Sequence, residues 1–331
     1  MDRTGKKFLV SILSTLIIFI MLIGWIDQAQ SQEKYQARPI DLIVGYPPGG
    51  ASDTSARLLS LYLEKKWGSR INVINKPGGN AIPAVLEVIK SPSDGYTLMA
   101  DIITSYTMLH VALKDVPFKA TDRNILAIWG STPNVWFVPP NSPFKSLKEV
   151  EAEAKRDPEN FTWTSLGGPS PQDFCMKQFF RAIGVDISKT KPVICKGGAQ
   201  TIVMAAGGHV KLGFSAIATT LPAVKAGNVK VMAVTSKSKS RWPDLSDIPT
   251  TQELGYESIT LSGWVGISGP LNLPPFVIET WNKTLQEMNK DQETLSKMRN
   301  MGLEPYYLNS EEAREYVLKE IEEGKKLWTS K

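Results

Sequence analysis

Histidine and cysteine are scarce in this chain, with only His110, His209, Cys175 and Cys195 in 331 residues. Neither H-E-x-x-H nor C-x-x-C spacing occurs, which argues against a metal centre. So few histidines, none beside a plausible nucleophile, give a Ser-His-Asp triad little support, and no G-x-S-x-G elbow is present. The phosphate-cradling patterns G-x-x-x-x-G-K-[ST] and G-x-G-x-x-G after a first strand are also missing. Charge is nearly balanced, 38 basic against 33 acidic residues, with no basic stripe of the kind nucleic-acid binders carry. Beyond residue 30 no apolar run is long enough to span a bilayer.

What is present begins with an address. Arg3, Lys6 and Lys7 precede an apolar stretch from Phe8 to Ile26, a signal-peptide pattern over residues 1–29. The stretch approaches the ~20 residues a membrane span needs, so a retained anchor is the alternative to cleavage. Either way the rest is expected outside the cytoplasm, in the periplasm or its equivalent. In that setting Cys175 and Cys195 are either a disulfide or two buried thiols; the sequence leaves both open.

From residue 39 onward, strand-like runs and amphipathic segments alternate, the pattern of an α/β fold with a largely parallel sheet. "IDLIVGY" reads as a strand, and Asp53–Trp67 as a helix with Ala56, Leu59, Leu63 and Trp67 on one face. "INVIN", a helix from near Asn80 to Lys90, and "YTLMADII" follow. A second unit repeats the alternation from "NVWFVPP" through "FTWTS", a helix over Pro171–Ile183, "KPVICK" and "VKVMAVTS". After the strand "GWVGISGP", two long helices are expected, over Pro274–Asn300 and from the capping box Asn309–Glu312 to Trp328.

Glycine pairs punctuate this alternation. Gly49-Gly50 and Gly78-Gly79 lie 29 positions apart, and Gly167-Gly168 and Gly197-Gly198 lie 30 apart. Each pair follows a strand and precedes a helix, so two similar lobes each present two glycine loops at the carboxyl edge of a sheet, where ligands of open α/β sheets bind. A helix N-terminus exposes unpaired N–H groups and partial positive charge, and glycine lets the backbone approach closely. Such loops suit a carboxylate or phosphate, with Ser52, Thr54 and Ser55 adding hydroxyls. Single residues read less sharply. Asp53 is better placed as an N-cap than as a ligand contact. Arg57 suits a brace that pairs with an acidic residue. Lys76 and Lys196 either steer an anion or are solvated. Tyr46 and Tyr106 either line a cleft or are core. Asp173 either caps a helix or accepts from a hydroxyl or amine.

These stretches carry a specific resemblance. "PIDLIVGYPPGGASDTSARLL", "INVINKPGGNAIPA", "SDGYTLM", "KGGAQTIVMAAGGHVKL", "DIPTTQELGY" and "GWVGISGP" run in one order over nearly all the chain after its leader. Together they resemble the Bug (TctC-type) family of extracytoplasmic solute-binding proteins, which serve tripartite tricarboxylate transporters. The resemblance implies a two-lobed, periplasmic-binding-protein-like fold of type II, with two crossover strands and a central ligand cleft. It places one lobe at residues 36–136 plus 264–331 and the other at 137–263. It also implies a small organic carboxylate as ligand. In lobe one the contacts would be Tyr46, Pro48, Gly49, Gly50, Ala51, Ser52 and Asp53, then Gly78, Gly79 and Asn80, then Ser105. In lobe two they would be Ser165, Ser170, Asp173, Gly197, Gly198 and Ser215. The chain departs from the family where "SLGGPSPQD" puts Asp173 in place of a histidine, where Ser215 lacks a preceding acidic residue, and where "GGNAIP" is tighter than usual. Asp173 in particular suggests a ligand whose far end is neutral, hydroxylated or cationic.

The expected function is therefore capture of a carboxylate by hinge closure and delivery to membrane subunits of a tripartite tricarboxylate-type transporter. The protein is expected to act as a monomer, without cofactor, metal or nucleic acid, and not as an enzyme. Two other classes compete: a subunit that presents its ligand to a membrane sensor, and an exported enzyme using the same cleft. Turnover of a bound ligand would mark the second, and an adjacent sensor kinase gene the first.

Overall fold

In the computed structural model the described residues are 35–329, apart from 169, 236–240, 243–244 and 260. The expected export segment and Pro169 lie outside them. The chain opens with β1 (Ile40–Val44), α1 (Ala51–Trp67), β2 (Ile71–Asn75), α2 (Ile82–Ile89) and β3 (Thr97–Ile102). A π-helical turn, Thr104–Met108, leads into the short α3 (Leu109–Ala112) and then β4 (Arg123–Thr132). Next come β5 (Asn134–Val138), α4 (Leu147–Arg156), β6 (Thr162–Ser165), α5 (Pro171–Ala182), β7 (Lys191–Ile194), α6 (Gly198–Ala206), β8 (Gly213–Ala216), α7 (Ile217–Lys225) and β9 (Lys230–Val234). The chain closes with β10 (Gly263–Pro270), α8 (Pro275–Met288), α9 (Gln292–Asn300), β11 (Glu304–Leu308) and α10 (Ser310–Thr329).

The molecule is a two-lobed α/β protein. One lobe is built on a six-stranded sheet in the order β11-β4-β10-β3-β1-β2. The other holds β8-β5-β9 and the pair β6-β7, linked by a bridge between Trp163 and Leu212. The expectation of a largely parallel sheet holds for β1, β2 and β3 and for the pair β6-β7, but not for the strands around the crossings. β10 runs antiparallel to both β3 and β4, and β5 antiparallel to both β8 and β9. The reason is connectivity: β5 and β10 follow directly from a strand or segment of the opposite lobe, so each enters its sheet from the shared edge. β4 ends at Thr132 and β5 begins at Asn134, so the first switch of sheet takes place at Pro133.

Aliphatic spacing explains the cores. Leu59 and Leu63 of α1 are fully buried against Leu42 and Val44, and Trp67 meets Trp281 of α8 edge-on at 4.9 Å. Gly68 ends α1 in the left-handed conformation (φ 69°), as its C-terminal position demands. The second lobe packs around Trp136, whose ring lies 4.4 Å from Phe214 and 5.1 Å from Phe179. Each such aromatic pair adds about 0.5–1.5 kcal/mol beyond area burial.

Three elements differ from expectation. The segment Pro274–Asn300 is two helices, because Asp291 caps a new one through Thr294 N at 2.8 Å. β4 and β11 were not anticipated. The last helix does begin at a reciprocal box, Glu312 N to Asn309 Oδ1 at 3.1 Å and Asn309 N to Glu312 Oε2 at 2.9 Å. α10 packs on β4 and α3, then reaches the other lobe, where Trp328 stacks on Phe174 of α5 at 6.0 Å and 4°. Cys175 and Cys195 are both buried free thiols.

Candidate functional site

All four glycine pairs sit between the carboxyl end of a strand and the start of a helix. In the first lobe, Gly50 is the extended residue before α1 (φ −80°, ψ 171°), so the helix starts at Ala51 and Asp53 is its third residue rather than its cap. No side chain caps α1, so the N–H groups of its first turn are left for an outside partner. Ser52 is 3% exposed, and its hydroxyl has no partner among the described residues.

Asp53 turns back and holds the loop. It accepts from Gly49 N at 2.9 Å, from Arg57 Nε at 3.1 Å and from Asn75 Nδ2 at 3.0 Å. Burial opposes ionisation of this carboxylate. The bonds from Arg57, Gly49 and Asn75 outweigh burial and hold its pKa below the usual carboxylate range. Asn75 also donates to Tyr46 O at 3.0 Å, which ties the second strand to the first loop. The loops touch directly at Gly45, where a Cβ would fall 2.3 Å from the Ala81 Cβ. The second loop is a left-handed turn with φ 52° at Gly79, 55° at Asn80 and 65° at Ala81. Such a conformation costs about 1–2 kcal/mol at each non-glycine position.

In the second lobe the two loops behave differently. Ser170 caps α5 by accepting from Asp173 N at 3.0 Å. The Asp173 carboxylate accepts from the hydroxyls of Ser165 and Ser170 and from Leu166 N at 3.0 Å. Gly167 N donates to Ser165 Oγ at 2.9 Å. Asp173 is thus the third residue of its helix and a loop brace, as Asp53 is in the first lobe. In this structure the Asp173 oxygens accept from their own loop, where the sequence suggested a group facing the far end of a ligand. α6 has no side-chain cap on Gly197. Beside its first turn stands Ser215, 1% exposed, whose hydroxyl has no partner and lies 2.9 Å from where a Cβ on Gly198 would be.

The other expected contacts divide by exposure. Pro48, Gly49, Gly78, Gly79 and Asn80 are exposed, and Gly50, Ala51, Gly197 and Gly198 are half-buried. Tyr46 is half-buried with its hydroxyl inside; burial and the nearby Asp101 push that hydroxyl's pKa up. Ser165 and Ser170 are buried within the Asp173 brace. Ser105 is fully buried; its hydroxyl donates to Asp101 at 2.7 Å and so is committed inside the protein. Lys76 pairs with Glu87.

Sequence reasoning missed what holds Ser105. Arg123 and Asp101 form an ion pair at 2.9 Å with both side chains wholly buried. Arg123 also donates to Ser105 O at 2.6 Å and lies 4.1 Å over the Tyr106 ring. Ser268 of β10 donates to Asp101 as well. The partners are distant in sequence and on three strands or turns, so no local pattern reveals them. A groove of about 270 Å³ near Leu58, Tyr62, Lys66 and Lys297 lies at the far end of α1 from Gly49-Gly50. Its rim charges pair among themselves, as Lys65–Glu293 and Lys66–Glu287 do.

Glycine loops with uncapped helix starts on both lobes are the arrangement of a binding cleft, and comparison with known proteins agrees. The sequence profile of the tripartite tricarboxylate transporter family receptor, TctC, matches residues 55–330. The chain belongs to this family of receptors. Protein BugT of Bordetella pertussis is 26% identical over 314 residues, 94% of either chain. A UPF0065 protein of Cupriavidus necator is 28% identical and covers 90% of this chain and 88% of its own. Among solved structures, R. palustris Rpa4515 with adipate superposes with a TM-score of 0.82 at 24% identity, over 88% of this chain and 97% of its own. The periplasmic binding protein BugD gives 0.78 at 23% identity, over 88% and 96%. The TctC receptors thus share this chain's fold, and the two helices that start behind a glycine N-cap, α1 and α6, are its candidate grips.

Proposed function

We propose that this receptor captures a small organic dicarboxylate outside the cytoplasm, closes its lobes on it, and hands it to the membrane subunits of a tripartite tricarboxylate-type transporter, acting as a monomer. One observation carries the reading. In each lobe one helix, α1 or α6, starts directly behind a glycine N-cap with no side-chain cap, and beside each lies a buried serine hydroxyl without a partner among the described residues, Ser52 and Ser215. Buried polar groups are nearly always bonded. Two such places, on opposite lobes and both electropositive, suit two carboxylates of one ligand.

The fold-level likeness supports this reading, since Rpa4515 holds adipate and MatC of Rhodopseudomonas palustris holds malate, both dicarboxylates. The lobe division expected at 36–136 with 264–331 against 137–263 is drawn here slightly earlier, at Pro133 and before Gly263, because β5 pairs with β8 and β9 while β10 pairs with β3 and β4. Gly50, Ala51 and Gly197, Gly198 supply the backbone donors, with Pro48, Gly49, Gly78, Gly79 and Asn80 shaping the first grip. Binding without turnover fits the histidines: burial, with Arg123 and Lys325 nearby, lowers His110 to about 4, so it is neutral and poorly basic.

The test begins with mass spectrometry of ligand released when the purified protein is denatured, followed by calorimetry with that compound. Ser52→Ala and Ser215→Ala each remove an unsatisfied buried hydroxyl. Each should weaken binding roughly tenfold while leaving ligand-free stability unchanged or slightly higher. Wild-type affinity in both variants would sink the two-grip reading.

A further inference from the structure

We propose that Thr132, at the point where the chain first crosses between lobes, is a ligand-contacting residue that selects a polar substituent in the middle of the ligand. The inference rests on the dicarboxylate reading above and adds a third contact between its two grips.

Thr132 is 5% exposed, and its hydroxyl has no hydrogen-bond partner among the described residues. Leaving such a group unsatisfied costs about 1–3 kcal/mol, and valine would fill the same space without that cost. The hydroxyl therefore points to a partner from outside the chain. Its place in the fold says which side that partner is on. β3 and β4 both run antiparallel to β10, so they are parallel to each other and end at one edge. That edge also carries the loops after β1, β2 and β3. Thr132 is the last residue of β4 and pairs with Gly263, the first residue of β10. Both connections between the lobes therefore meet at this residue.

The direction of the side chain follows from Gly263. A Cβ there would lie 2.8 Å from the Thr132 methyl, so the methyl packs on β10 and the hydroxyl is turned elsewhere. Across Pro133, Val135 is the β-partner of Ser215. Two unpartnered hydroxyls thus flank the crossing, Ser215 at the second-lobe grip and Thr132 at its root. A ligand held at its ends by α1 and α6 presents its middle to Thr132.

The experiment measures affinities for straight four- to six-carbon dicarboxylates, each with and without a 2-hydroxyl. Wild type should prefer the hydroxylated member roughly tenfold or more, as sites built to bond a hydroxyl do. Thr132→Val should lose that preference without losing ligand-free thermal stability, and Thr132→Ser should keep it. A Thr132→Val protein with the wild-type preference overturns the inference, as does one that is less stable without ligand, which would mean the hydroxyl is bonded internally. A wild type that binds dicarboxylates without preferring the hydroxylated ones also overturns it and leaves the two-grip reading standing. A wild type that binds none of the series removes the reading beneath it.

Discussion

Asp101 and Arg123 show what a single residue can decide. Their pair has no exposed atom, and desolvating two charges is repaid only when every remaining lone pair and proton finds a partner. Here Ser105, Ser268 and the Ser105 carbonyl satisfy most of it, and only Arg123 Nε has no partner among the described residues. Arg123→Met should leave Asp101 charged and unpaired, and cost about 3–5 kcal/mol in urea unfolding. A loss under 1 kcal/mol would show that the pair is not the support of this loop. Asp53 makes a pH prediction. Its folded pKa is depressed, so its contribution is complete above the ordinary carboxylate range and vanishes as pH falls through the lowered value. Stability should therefore drop on acidification below about pH 4, and Asp53→Asn should lack that share of the drop. Superimposable pH profiles for the two proteins would contradict the brace.

Among the elements, α10 has the widest reach. It begins on the first lobe, where Ala313 and Val317 join Ile103, Tyr106 and Met108 around Trp264. It ends on the second, where Trp328 stacks on Phe174 and takes Lys177 over its ring at 4.2 Å. Phe174 adjoins Asp173, and Ile103 and Tyr106 flank Ser105, so each side of this contact neighbours a cleft loop. The contact bridges the two lobes, and a closed, ligand-bound form is expected to keep it. Trp328→Ala removes a stacking and a cation–π contact, together about 1–2 kcal/mol. Ligand dissociation followed by stopped flow should speed up roughly tenfold; an unchanged rate would detach α10 from closure. Local signals in the sequence suffice for the glycine loops, α1, and the Asn309–Glu312 box, because each depends on neighbours in the chain. They fail for β4 and β11, whose partners are β10 and each other, and for the α8–α9 break at Asp291.

At the level of the whole molecule, closure links ligand to stability. A ligand at 100 times its Kd should raise unfolding free energy by about 2.7 kcal/mol, read as a concentration-dependent shift of the melting curve. A second prediction concerns redox state. Cys175 lies inside α5 and Cys195 after β7, and the two are unbonded. The melting temperature should therefore be the same with and without reductant, and a fall of several degrees on reduction would reveal a bridge.

The α/β alternation, the glycine loops and, through them, the family were determined by the sequence alone. These follow from periodicity, turn chemistry and short-range capping, which act over a few residues. Tertiary structure alone decided how the expected contacts are bonded within the protein. Asp173 and Ser105, expected as contacts, bond to neighbouring groups of the fold, whereas the hydroxyl of Thr132, which drew no notice, has no partner among the described residues. The physical reason is that a polar group's role depends on whether the fold has already satisfied it, and that is settled by residues far away in the chain.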